Sequence, residues 1–121
     1  MNHVPNDLIK VYISGPYTKG DPVENTRKVV MAGNQVIDYG HVPILPHLTM
    51  FWHFLTPKPW EKWIEYDLGL LSACSIIWRL PGESTGADIE VKQAKEWGLC
   101  IAHDFEEVKR LIDVLFRRGG Y

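Results

Sequence analysis

Short apolar runs alternate along this chain with stretches of helical periodicity. Ile9-Lys10-Val11-Tyr12-Ile13-Ser14 reads as a buried strand, stopped by Gly15-Pro16. Asp21-Pro22-Val23-Glu24 opens a helix, with Asp21 as N-cap, Pro22 at the first helical position and Glu24 completing a capping box. That helix carries Val23, Val29, Val30, Met31, Val36 and Ile37, and Gly40 ends it. Val42-Pro43-Ile44-Leu45-Pro46 is extended but too rich in proline for a long central strand. The pattern from His47 to Pro59 predicts a loop, unusually aromatic in Phe51, Trp52 and Phe54. A second helix is expected from Trp60 to Ser72, and a buried strand at Ser75-Ile76-Ile77-Trp78. After a loop from Leu80 to Gly86, a third helix runs from Thr85 to Trp97, with Gly98 as its stop. Leu99-Cys100-Ile101-Ala102 is a fourth strand. The last helix, Phe105 to Phe116, aligns Phe105, Val108, Leu111, Ile112, Leu115 and Phe116 on one stripe, with charges opposite.

Apolar strands alternating with amphipathic helices predict an α/β fold, a parallel sheet with helices on both faces. Right-handed crossovers make it a doubly wound, Rossmann-like (flavodoxin-like) three-layer sandwich of four to five strands. Ligands in such folds bind beyond the carboxyl ends of the strands. That edge holds Ser14, Gly15, Pro16 and Tyr17, the loop that begins at His47, and the loop from Leu80 to Gly86. The candidate binding residues are taken from it.

The length, 121 residues, is one domain, 1–121, and suffices to bury a core without disulfide or metal. Thirteen Lys+Arg against fifteen Asp+Glu leave a net charge of −2, which gives no bulk electrostatic case for a nucleic-acid polymer or an anionic membrane. No apolar run approaches a membrane span, and Met1 to Lys10 shows no secretory pattern. Cys74 and Cys100 form no CxxC and read as free thiols, so a cytoplasmic setting is expected. His47 and His53 have no Cys, Asp or Glu at ligand spacing nearby, so neither a metal nor a cofactor is expected.

Two carboxylates violate the pattern. Asp67 falls within the stripe Trp60, Trp63, Ile64, Leu70 and Leu71 of the second helix. Glu90 falls on or beside the stripe Ala87, Val91, Ala94 and Trp97 of the third. A carboxylate on an inward face loses hydration and its pKa rises, as in general acids and tuned nucleophiles. The bland alternative is that each snorkels outward or bonds a buried partner. Two carboxylates at one pocket are the equipment for cleaving a glycosidic bond. Tyr12 on the first strand either points to that crevice and bonds a carboxylate, or is a plain strand tyrosine. The Phe51-Trp52-Phe54 cluster is either a lid on the core or a stacking platform.

Gly82-Glu83-Ser84-Thr85-Gly86 matches G-x-S-x-G, but the chain is short for a serine hydrolase, and His103-Asp104 reverses the Asp-then-His order. Two other readings stand. One is an anion or sugar-hydroxyl site at a helix N-terminus, with Ser84 and Gly86. The other is a plain cap by Ser84 or Thr85, with Thr85 and Asp88 as a capping box.

Val11-Tyr12-Ile13-Ser14-Gly15-Pro16, Tyr66-Asp67-Leu68 and Ser84-Thr85-Gly86-Ala87-Asp88-Ile89-Glu90, followed by Ala94 and Gly98, together resemble the nucleoside 2-deoxyribosyltransferase-like family. Its superfamily includes deoxynucleoside monophosphate N-glycosidases. The likeness covers roughly residues 9 to 102 and is nearest to small bacterial and phage members carrying Leu-Pro-Gly-Glu-Ser-x-Gly-Ala. The resemblance implies cleavage or transfer at the N-glycosidic bond of a (2′-deoxy)nucleoside or nucleotide, through a covalent glutamyl-sugar intermediate. It implies Glu90 as nucleophile, Asp67 as the acid that protonates and holds the departing base, and Tyr12 as hydrogen-bond donor to the nucleophile. Ser84 and Gly86 match the loop that touches the sugar or its 5′ substituent. Homo-oligomers, dimeric or higher, are also implied, with a neighbour's C-terminal segment, here Arg117 to Tyr121, completing the site. In place of the serine and arginine of the monophosphate-cleaving branch, the first loop reads Pro16-Tyr17-Thr18-Lys19-Gly20. A non-catalytic nucleotide-binding or sensing module of the same fold is the competing reading.

Overall fold

The computed structural model describes residues 8–118. The expectations placed on Met1 to Asp7 and on Gly119 to Tyr121 lie outside them.

Four parallel strands, β1 (Lys10–Ser14), β2 (Val42–Ile44), β3 (Ile76–Arg79) and β4 (Cys100–Ala102), form one sheet in the order β2-β1-β3-β4. This is the flavodoxin-like order over its first four strands, and it reverses direction between β1 and β3. Tyr12 pairs with Ile44 on one side and Ile77 on the other, so β1 is central. Pro43 sits on β2, at the sheet edge, where its missing N–H costs least.

Strand alternation divides the core in two. Val11, Ile13, Ile76 and Trp78 pack against Val29, Ala32 and Val36 of α1 (Pro22–Asp38) and Val108 and Ile112 of α5 (Phe105–Arg118). Tyr12 and Ile77, on the other face, pack against Leu71 of α3 (Trp60–Leu71) and Ala94 of α4 (Thr85–Glu96). The three-layer sandwich is thus formed, with α1 and α5 on one face and α3 and α4 on the other. Asp21 caps α1 by accepting from the N–H groups of Val23 and Glu24. Gly40 and Gly98 take positive φ just past α1 and α4, as helix stops require.

Three local expectations are corrected. His47 to Pro59 is not a loop: a 3₁₀ turn (Pro46–Leu48) runs into α2 (Thr49–Leu55). Trp60 and Trp97 do not join the core but are about half exposed. The Phe51-Trp52-Phe54 cluster is no lid on the core either, because Phe51 and Phe54 are about 70% exposed. Trp52 packs edge-on against Trp63 and Tyr66 of α3. Among the described residues no helix is long and apolar enough to cross a membrane.

The loops after β1 and β3 meet at the switch point. Gly82 has φ +116°, and a Cβ there would stand 2.7 Å from Cγ of Pro16. Its carbonyl accepts from Arg79 at 2.8 Å. Gly82→Ala is therefore expected to lower stability by roughly 2–4 kcal/mol, from backbone strain plus a clash with a rigid ring. Urea unfolding checks this; an unchanged midpoint would show that the loop repacks freely.

Candidate active site

Period-2 alternation puts Tyr12 and Ser14 on the same face of β1, the face that α4 covers. Both are fully buried, and both reach Glu90, which is only 5% exposed. The Tyr12 hydroxyl donates to Oε2 of Glu90, and the Ser14 hydroxyl donates to Oε1 at 2.7 Å. Each carboxylate oxygen thus has its own buried donor, and the head group is fixed in orientation. Burial pushes the Glu90 pKa up, while the two hydroxyls and the charge of Arg79 pull it back; the net direction is upward. Tyr12 is held well above its ordinary 10, by burial first and by the charge of Glu90 second, so it remains a donor.

Glu90 opens into a cleft of about 260 Å³ at the carboxyl edge of the sheet, and Asp67 of α3 lines the same cleft. The Asp67 pKa is pushed up to about 8, chiefly by burial and then by the charge of Glu90. Oδ1 of Asp67 is buried and has no hydrogen-bond partner among the described residues. The two carboxyl groups therefore differ at neutral pH. Asp67 holds its proton to about pH 8, while the hydroxyls of Tyr12 and Ser14 favour the ionised form of Glu90 against its burial.

The remaining candidates divide. Gly15, His47 and Gly86 line the cleft with the two acids. Ser14 is not among the residues that line the cleft: it is fully buried and donates to Glu90. Pro16 lies outside the cleft as well, but its carbonyl accepts from Nε2 of His47 at 2.7 Å. Burial lowers the His47 pKa, so that ring is neutral. Ser84 caps α4 by accepting from the Ala87 N–H at 3.1 Å. It lines a neighbouring hollow with Lys19, Glu83 and Asp88, and Gly86 is shared by the two. The expected Thr85–Asp88 capping box is replaced by this Ser84 cap, and Asp88 instead pairs with Arg79 at 3.2 Å. Lys19 pairs with Glu83.

The sequence patterns did not single out His53, Lys58, Trp60 or Trp63 as site residues, yet all four line the cleft. The aromatic stripe of α3 was the available signal, because its first half faces the cleft and only its last turn reaches the core, at Leu71. A larger hollow of about 630 Å³ lies beyond Gly15 and is lined by Arg27, Lys28 and Trp78. It holds neither Asp67 nor Glu90. Among the described residues no three His, Cys, Asp or Glu side chains cluster closely enough to hold a metal ion.

The family model described as a domain of unknown function (DUF7768) matches residues 9–104, and the chain belongs to that family. No curated protein matches it. The matched span runs from the start of the sheet past β4 and includes Tyr12, Ser14, Asp67 and Glu90.

Proposed function

We propose that this member of the DUF7768 family breaks the N-glycosidic bond of a nucleoside or nucleotide and passes the sugar to water or to a second base. The observation that carries the reading is the division of labour in one cleft. Glu90 is held by two buried donors, and Asp67 keeps its proton to about pH 8. The resemblance in the Tyr12, Asp67 and Glu90 segments supports the same reading.

In the proposed reaction a Glu90 oxygen attacks C1′ of the sugar as the C1′–N bond breaks. Asp67 gives its proton to the departing base, which leaves neutral. Water or the second base then attacks C1′, the ester to Glu90 opens, and the proton released returns to the Asp67 carboxylate. Tyr12 and Ser14 touch no substrate. They aim the nucleophile and favour its ionised form against the effect of burial. A homo-oligomer belongs to the same reading, supported by Phe51, Phe54 and Leu55 of α2, which are each about two-thirds exposed.

The test is a panel of ribo- and deoxynucleosides and their 5′-monophosphates, with chromatographic detection of free base. Release of base from at least one member is expected. The second reading, a binding module without turnover, is favoured by the loop after β1, whose one cation is spent on Glu83. Saturable binding by calorimetry with no base released would decide for it.

A further inference from the structure

The cleft contains a histidine whose proton the fold has placed. His53 of α2 lines the cleft with Asp67 and Glu90. Its Nδ1 accepts the Trp63 indole N–H at 2.7 Å and the backbone N–H of Lys58 at 3.2 Å. An atom that accepts two N–H groups carries no hydrogen, so the neutral ring bears its proton on Nε2. Nε2 has no hydrogen-bond partner among the described residues. His47 is fixed in the same way: a carbonyl can only accept, so its Nε2 donates to Pro16 and its Nδ1 is left as the acceptor. The two rings that line one cleft thus offer opposite hydrogen-bonding polarity.

Connectivity separates them. Pro16, which holds His47, lies two residues beyond Ser14, which holds Glu90. His47 thereby belongs to the side of the nucleophile and the sugar. Trp63, which holds His53, lies one helical turn before Asp67 on α3. His53 thereby belongs to the side of the acid and the departing base. Trp63 lines the same cleft, so an apolar aromatic side chain stands beside that donor.

We infer that His53 is a specificity residue: its Nε2–H donates to an acceptor on the edge of the departing nucleobase, which lies along the Trp63 wall. The inference rests on the glycosidic reading above, because it takes Asp67 as marking the leaving-group side. A base that offers an acceptor there leaves both partners satisfied. A base that offers a donor or a C–H strands a partly buried N–H and is discriminated against. The Lys58 and Trp63 bonds hold the ring before any ligand arrives, so the preference needs no reorganisation.

The test measures equilibrium binding of free bases and needs no turnover. Adenine, guanine, cytosine and thymine are titrated into the full chain by calorimetry. The tightest binder is then compared with analogues in which one ring nitrogen or carbonyl acceptor is replaced by C–H. One such replacement is expected to weaken binding about tenfold, the typical effect of one neutral hydrogen bond. In His53→Phe, which keeps a ring but no donor, that discrimination is expected to vanish. His53→Gln, which restores a donor, is expected to regain most of it. A ring that merely ties α2 to α3 would lower the affinity for all bases alike, and the discrimination ratio would not move. An unmoved ratio in His53→Phe, equal binding of all analogues by the wild type, or no binding of any base would overturn the inference. Base discrimination that depends on His53 in a protein that releases no base would leave it standing and overturn the glycosidic reading.

Discussion

Glu90→Gln is expected to abolish release of base, by on the order of 10⁴-fold or more, while leaving the protein folded. The substitution removes the proposed nucleophile and changes little else. Glutamine keeps the shape of the head group, and the Tyr12 and Ser14 hydroxyls rotate to accept or donate as the amide requires. Glu90→Ala would be less informative. It strands two fully buried hydroxyls at about 1–3 kcal/mol each, so lost activity could not be separated from lost structure. The checking measurement has two arms. Steady-state release of base reads the rate. Mass spectrometry of acid-quenched protein reads an adduct on the peptide containing Glu90 in the wild type, and its absence in Glu90→Gln. Activity that survived in Glu90→Gln would remove the covalent route and with it the assignment of the nucleophile.

Why the sequence displays part of this site and hides the rest is a matter of which physical signals are local. Glu90 was visible because a carboxylate between Ala87 and Ala94 breaks an apolar stripe, and α4 does turn that side inward. Tyr12 and Ser14 share a strand face by simple alternation, and both meet Glu90. The sheet followed from strand length and spacing, and Pro43 foretold an edge. The segment His47 to Pro59 reads as a loop because three prolines bracket it and its aromatics lack a buried side to set a period. Its helix α2 has no buried residue at all. Trp60 and Trp63 deceived in the opposite sense. An amphipathic stripe says that a helix face avoids water, and a cleft wall satisfies that condition as well as a core does. His53 gave no signal, since its role depends on Trp63, ten residues away on another helix.

The Asp67 proton sets how the protein responds to alkaline pH. Asp67 is raised from an ordinary 3.8 to about 8 in the folded chain. Its folded pKa therefore lies above its unfolded one, and folding favours the protonated form. That contribution is fully present below about pH 4 and is lost as pH rises toward and through about 8. Wild-type stability should fall over this window by roughly 2–4 kcal/mol, a figure discounted from the full linkage because the residue is only partly shielded from water. Asp67→Asn cannot ionise and should show a flatter curve from pH 5 to 9 in urea unfolding. In the proposed reaction the same proton is the one donated to the leaving base. Turnover should thus decline above about pH 8, and Asp67→Asn should lose roughly 10²–10⁴-fold at neutral pH. The two charges are also coupled, because the second cause of the raised Asp67 value is Glu90. In Glu90→Gln the loss of stability should consequently be smaller and level off at lower pH. Superimposable stability curves for wild type and Asp67→Asn would mean that the carboxyl is ionised at neutral pH and has no proton to give, and the assignment of the acid would fall with it.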